Sequence, residues 1–72
     1  MKITAQWIEI DCRRVDEASN VWSVERNRDD EIKTVAAARA EIKAMKKSDS
    51  VPKIYRIIRC FEMSEVAQTI QP

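Results

Sequence analysis

The chain has 72 residues, with 13 Lys and Arg against 12 Asp and Glu, so a net charge of +1 selects neither nucleic acid nor a membrane surface as partner. It contains no His and no Gly. The first absence removes the imidazole base, Ser–His and Cys–His pairs and His-ligated metal; the second removes phosphate-cradling loops and the dinucleotide fingerprint, whose tight backbone needs residues without Cβ.

Seventy-two residues make one small domain, 1–72, near the lower end of what folds unaided, so dimerisation is in play. Cys12 and Cys60 are too few and too far apart to form a zinc site by themselves. No Asp or Glu pair stands out as an acid–base couple, so the expectation is a protein that is not an enzyme and takes no cofactor or metal. No apolar run approaches the length of a bilayer span, and the N-terminus lacks a signal-peptide pattern, which points to a cytoplasmic protein with no membrane partner. Charge is mildly uneven: residues 1–36 carry six basic and eight acidic side chains, residues 37–72 seven and four.

In chain order, Ile3–Arg14 reads as a strand, with Ile8, Ile10 and Cys12 alternating against Glu9, Asp11 and Arg13. Ile3, Ala5 and Trp7 have the opposite parity. Either a bulge shifts the pleat near Trp7, or Trp7 stands on the other face. Val15–Asn20 is turn-rich, with Asp16 or Asn20 suited to the left-handed conformation that Gly usually supplies. Val21–Arg26 resumes strand character through Val21, Trp22 and Val24.

Asp29–Lys47 reads as one amphipathic helix. Asp29, Asp30 and Glu31 suit the positive end of the dipole, and Lys43, Lys46 and Lys47 the negative end. Ile32, Val35, Ala38, Ile42 and Met45 form one apolar stripe, flanked by alanines that let the helix approach a sheet closely. Pro52 stops any continuation. Lys53–Met63 is then a strand rich in β-branched and aromatic residues. Tyr55, Ile57, Phe61 and Met63 share one parity, Ile54, Ile58 and Cys60 the other, so both faces are partly apolar. From Ser64 onward the pattern fits a helix start or a short strand equally.

Strand, strand, helix, strand predicts an α/β fold of the α+β two-layer type: a three-stranded antiparallel or mixed sheet with one helix on one face, ββαβ. A right-handed crossover places the third strand beside the first, in order 2-1-3 and antiparallel to it. The two thiols then lie at opposite ends of the sheet, too far apart for a disulfide.

The order of a Trp-containing hairpin, an acidic-capped Ala-rich helix and then Tyr55-Arg56-Ile57-Ile58 resembles small phage-encoded ββαβ proteins, among them anti-CRISPR and other host-takeover proteins. The likeness covers residues 3–63 and is one of layout, carrying no functional residue with it. It implies a phage or mobile-element protein that binds, and inhibits, a host protein or nucleoprotein in the host cytoplasm.

Several groups have competing readings. Arg39, Lys43, Lys46 and Lys47 suit phosphate contacts, but equally an ordinary solvated helix face. Trp7, Trp22, Tyr55 and Phe61 suit base stacking, but core packing accounts for rings under the helix. Arg13, Arg14, Arg56 and Arg59 suit a partner surface, or cross-strand pairing with Glu9, Asp11 and Glu62. A sheet with one helix leaves one face open. With Ile8, Ile10, Cys12, Trp22, Val24, Tyr55, Ile57 and Phe61 under the helix, Trp7, Val21, Ile54 and Ile58 remain on the open face within a polar rim. With the opposite register of the third strand, Tyr55, Ile57 and Phe61 are exposed instead. The expected contact residues are Trp7 and Ile58 as anchors, with Glu9, Arg13 and Arg56 setting orientation. The alternatives are a nucleic-acid-binding module using Arg and Lys, and a homodimer joined through that face.

Overall fold

In a computed structural model, which describes residues 2–16 and 21–69, the chain runs through β1 (Lys2–Arg14), β2 (Ser23–Arg26), a 3-10 turn (Arg28–Asp30), α1 (Val35–Ser48) and β3 (Lys53–Ser64). Both strand pairs are antiparallel and the sheet order is β2-β1-β3, so the α+β arrangement and the 2-1-3 order are those expected. Cys12 lies opposite Tyr55 and Cys60 opposite Trp7, and both thiols are free. Among the described residues no helix is long and apolar enough to cross a membrane.

The ladder between β1 and β3 decides the faces. Ile10 is opposite Ile57 and Cys12 opposite Tyr55, so these four share the helix side. Trp7, Glu9, Asp11 and Arg13 lie opposite Cys60, Ile58, Arg56 and Ile54 on the other side. Trp7 thus stands on the open face. The irregularity in β1 falls between Ile3 and Ala5 instead of near Trp7.

The helix begins later than its acidic residues suggest. Asn27 caps the 3-10 turn: its side chain accepts from the Asp29 N–H at 2.9 Å, and its own N–H donates to Asp30 Oδ2 at 2.8 Å. Glu31 then takes a left-handed conformation (φ 53°), uncommon for a residue with Cβ, and this ends the turn. It is the only positive-φ residue among those described; Asp16 does not adopt that conformation, and Asn20 lies outside the described residues. A new start follows at Thr34, whose Oγ1 accepts from the Ala37 N–H at 3.0 Å. Asp29, Asp30 and Glu31 therefore belong to the turn and its exit, and the helix is Val35–Ser48 instead of Asp29–Lys47.

The core is small. Ile8, Ile10, Ile32 and Ala38 are buried, packed against the half-buried Val35, Ile42, Met45, Tyr55 and Ile57. Ala38 is fully covered, as close approach of helix to sheet requires. The 14 residues of α1 span about 21 Å, whereas the 13 of β1 span about 43 Å. Half of the β1–β3 ribbon thus extends past the helix. Ile3, Phe61 and Met63 lie on the helix side of that bare half and are more than half exposed, contrary to the expectation that Phe61 is covered. The molecule is elongated at 61 × 27 × 15 Å, and its radius of gyration of 17.0 Å exceeds the roughly 11 Å of a compact chain this long. Residues 65–69 form neither helix nor strand, and Ile70 lies outside the described residues.

β2 holds the main correction. Ile10 pairs with Arg26, but Asp11 pairs with Val24, leaving Glu25 as an extra residue in a bulge. One extra residue inverts the side-chain alternation of everything before it in β2. Val24 is therefore on the open face and 57% exposed, and Trp22 reaches the open face beside Arg13. Neither lies under the helix.

Candidate interaction surface on the open sheet face

The five expected contact residues come together. Trp7, Glu9 and Arg13 are alternate residues of β1, and Arg56 and Ile58 are alternate residues of β3, all on the open face. Glu9 and Ile58 are directly opposite each other. Trp22, Asp11 and Arg28 join them, and the reading of the sequence did not assign these three to the surface.

Asp11 organises one end. The residue is buried, at 4% exposure, although it stands on the uncovered face, because Arg56 closes over it. Arg56 Nε and Nη2 both reach Asp11 Oδ2 at 2.9 Å. Such charge-assisted bonds hold the guanidinium at a fixed angle, and it lies over the Trp22 ring, 4.2 Å from the centroid. Arg13 approaches the same ring at 5.3 Å. Each cation–π contact at a partly exposed site is worth about 0.5–1 kcal/mol. Asp11 Oδ1 is buried with no hydrogen-bond partner among the described residues.

The other end is centred on Trp7. Its Nε1–H donates to Glu9 Oε1 at 3.3 Å, and Arg28 lies 4.7 Å from the ring centroid. Arg28 is held there by Glu62, Nη1 to Oε2 at 3.0 Å. Ile54, Ile58, Cys60 and Val24 supply apolar surface between the two tryptophans and along the rim. No family model, curated protein or solved structure matches the chain.

Of the expected cross-strand pairs, Arg56–Asp11 forms. Glu62 is held by Arg28, and Arg14 pairs with Asp16 at 2.8 Å. Arg59, opposite Ile8, is on the helix side, where it shares a cavity with Arg28 and Lys33. The four rings considered for base stacking are divided, with Trp7 and Trp22 on the open face and Tyr55 and Phe61 on the other. Arg39, Lys43, Lys46 and Lys47 are exposed on α1, away from this surface.

The thiols are not activated. Burial, reinforced by Glu9 and Asp11, pushes Cys60 up from its ordinary value. Burial and a hydrogen bond from Cys12 Sγ to Glu25 Oε1 at 3.0 Å push Cys12 up to about 11. Burial and the Asp49 carboxylate, 2.6 Å away, likewise raise Tyr55. A nucleophilic thiol needs the opposite shift. Among the described residues no three His, Cys, Asp or Glu side chains cluster as metal ligands.

Proposed function

We propose that this chain works without catalysis, as an interaction protein that binds a protein partner through the open sheet face in the cytoplasm. The observation that carries the reading is the constellation on that face: two tryptophans, each held by arginine, with Cys60 opposite Trp7 and Ile58 next to it along β3. Trp and Arg are the residues most often found at the energetic centre of protein interfaces. Here their rotamers are already constrained, so less entropy is lost when a partner docks. Arg13 makes its cation–π contact but has no carboxylate partner among the described residues. Its guanidinium donors suit an acidic group on the partner, at the edge of an apolar contact. A host protein or nucleoprotein is the partner class that the likeness to phage ββαβ proteins adds to this reading.

Nucleic acid fits this face less well. Arginines already occupy both indole rings, and all but Arg13 are neutralised by Asp11 or Glu62. Base stacking has to displace them before it gains anything.

The test is capture from a bacterial lysate with the wild-type chain, a Trp22→Ala chain and a Lys43→Ala chain. A specific protein retained by wild type and Lys43→Ala, and weakened at least about thirtyfold by Trp22→Ala, is the expected result. Circular dichroism should find Trp22→Ala folded, because that ring lies outside the core cluster. Retention that is insensitive to Trp22, or that vanishes with salt and nuclease, overturns the reading.

A further inference from the structure

The far edge of β3 bears on a different partner. The Val15 N–H donates to the Pro52 carbonyl at 3.1 Å, which sets the phase of the β1–β3 ladder. From that bond onward the even residues of β3, Ile54 to Glu62, exchange their backbone bonds with β1. The odd residues Tyr55, Ile57, Arg59, Phe61 and Met63 turn their N–H and C=O groups outward. Among the described residues no strand pairs with that edge. A long edge rich in apolar side chains, without proline or bulge, is what natural sheets otherwise cover or blunt.

Coverage and area point the same way. On the helix side, α1 covers the half of the ribbon around Ile10 and Ile57, and the apolar residues of the other half, Ile3, Phe61 and Met63, are exposed. The chain exposes 5861 Å², against about 4,600 Å² for a compact monomer of its mass. Part of this excess belongs to residues 65–69, which are exposed and in neither helix nor strand. The bare half-ribbon contributes as well, and the excess exceeds the roughly 800 Å² that each partner of a standard interface buries.

We propose that a second copy of this chain covers the edge, the two β3 strands pairing antiparallel about a two-fold axis at Ile58 to make one six-stranded sheet, β2-β1-β3-β3-β1-β2. An antiparallel two-fold reverses one copy relative to the other, so the bare half of each ribbon lies beside the helix-covered half of its partner. Phe61 of one copy then stands opposite Tyr55 of the other, and Arg59 opposite Ile57. Directly opposed side chains must share a face, so the axis moves only by whole residues; moving it to Arg59 sets two like charges opposite each other. The contact uses backbone groups at the sheet edge and leaves the open face uncovered, so it stands or falls separately from the proposed function.

Sedimentation equilibrium should give twice the 8.4 kDa chain mass. Arg59→Pro removes an N–H that points away from β1, so it should give a folded monomer by circular dichroism, whereas Trp22→Ala should leave the dimer intact. A proline variant that fails to fold is bypassed by cross-linking. In a Cys60→Ser background, Ile58→Cys places two thiols across the axis in a non-hydrogen-bonded pair, with Cα atoms about 4.5 Å apart, within disulfide reach. Ile54→Cys places them about 27 Å apart. Rapid oxidation to a dimer at position 58 and not at 54 is expected. A monomeric wild type, a folded Arg59→Pro that still dimerises, or no preference for position 58 overturns the proposal.

Discussion

Replacing Ile10 with alanine tests whether the few buried residues carry this fold. Among the described residues Ile10 is the one large side chain that is fully buried, enclosed by Ile8, Ile32 and Ala38 with Val35, Ile42 and Ile57 around them. The substitution removes three carbon atoms, and at about 0.8 kcal/mol each the lost transfer free energy is near 2.4 kcal/mol. The cavity left between helix and sheet raises the cost toward about 4 kcal/mol where the walls cannot collapse. A chain of this length has a total stability of only about 4–11 kcal/mol, so a large share is lost. Urea denaturation at fixed protein concentration, followed by circular dichroism, reads this directly. With a slope near 1 kcal/mol per molar the midpoint should fall by about 2–4 M. Ile42 is only half-buried, so Ile42→Ala should cost about 1–2 kcal/mol, less than a fully buried position on the helix stripe. A midpoint for Ile10→Ala within about 0.5 M of wild type, or equal costs at the two positions, refutes the placement of the core.

Three further outcomes follow from the helix exit and the thiols. Tyr55→Phe deletes a 2.6 Å hydrogen bond to Asp49, which ties the end of α1 to β3; it should cost about 1–2 kcal/mol in thermal melts, since Asp49 keeps its pair with Lys53 at 3.5 Å. A neutral Tyr55→Phe would show that this bond does not hold the exit. Cys12 has its folded pKa raised from 9.0 to about 11, so the fold holds a proton that the unfolded chain releases first. Its contribution is complete below pH 9 and is lost as pH rises to about 11, with Tyr55 acting in the same direction. A stability curve that falls over this interval, and falls less in Cys12→Ala, is expected; identical curves would remove Cys12 as the cause. Both cysteines should alkylate as free thiols after unfolding without reductant.

Side-chain alternation alone determines much of this protein. Ile8, Ile10 and Cys12 fix which side of β1 is buried, but β3 is apolar on both faces, and only the pairing of Ile10 with Ile57 and Cys12 with Tyr55 sets its register. With that register Trp7, Glu9, Arg13, Arg56 and Ile58 share the open face, whereas the opposite register of β3 would expose Tyr55, Ile57 and Phe61 instead. The strand order followed from connection length and handedness. Tertiary structure decided three other matters. Val21, Trp22 and Val24 fit either parity, so only the Glu25 bulge, formed where Ser23, Val24 and Arg26 pair with β1, sends Trp22 to the open face between Arg13 and Arg56. Asn27 and Thr34 are both competent caps, and the left-handed Glu31 between them moves the helix start to Val35. The shortened helix then leaves Phe61 in water, because coverage depends on where an element ends, and no periodicity within β3 records where α1 begins.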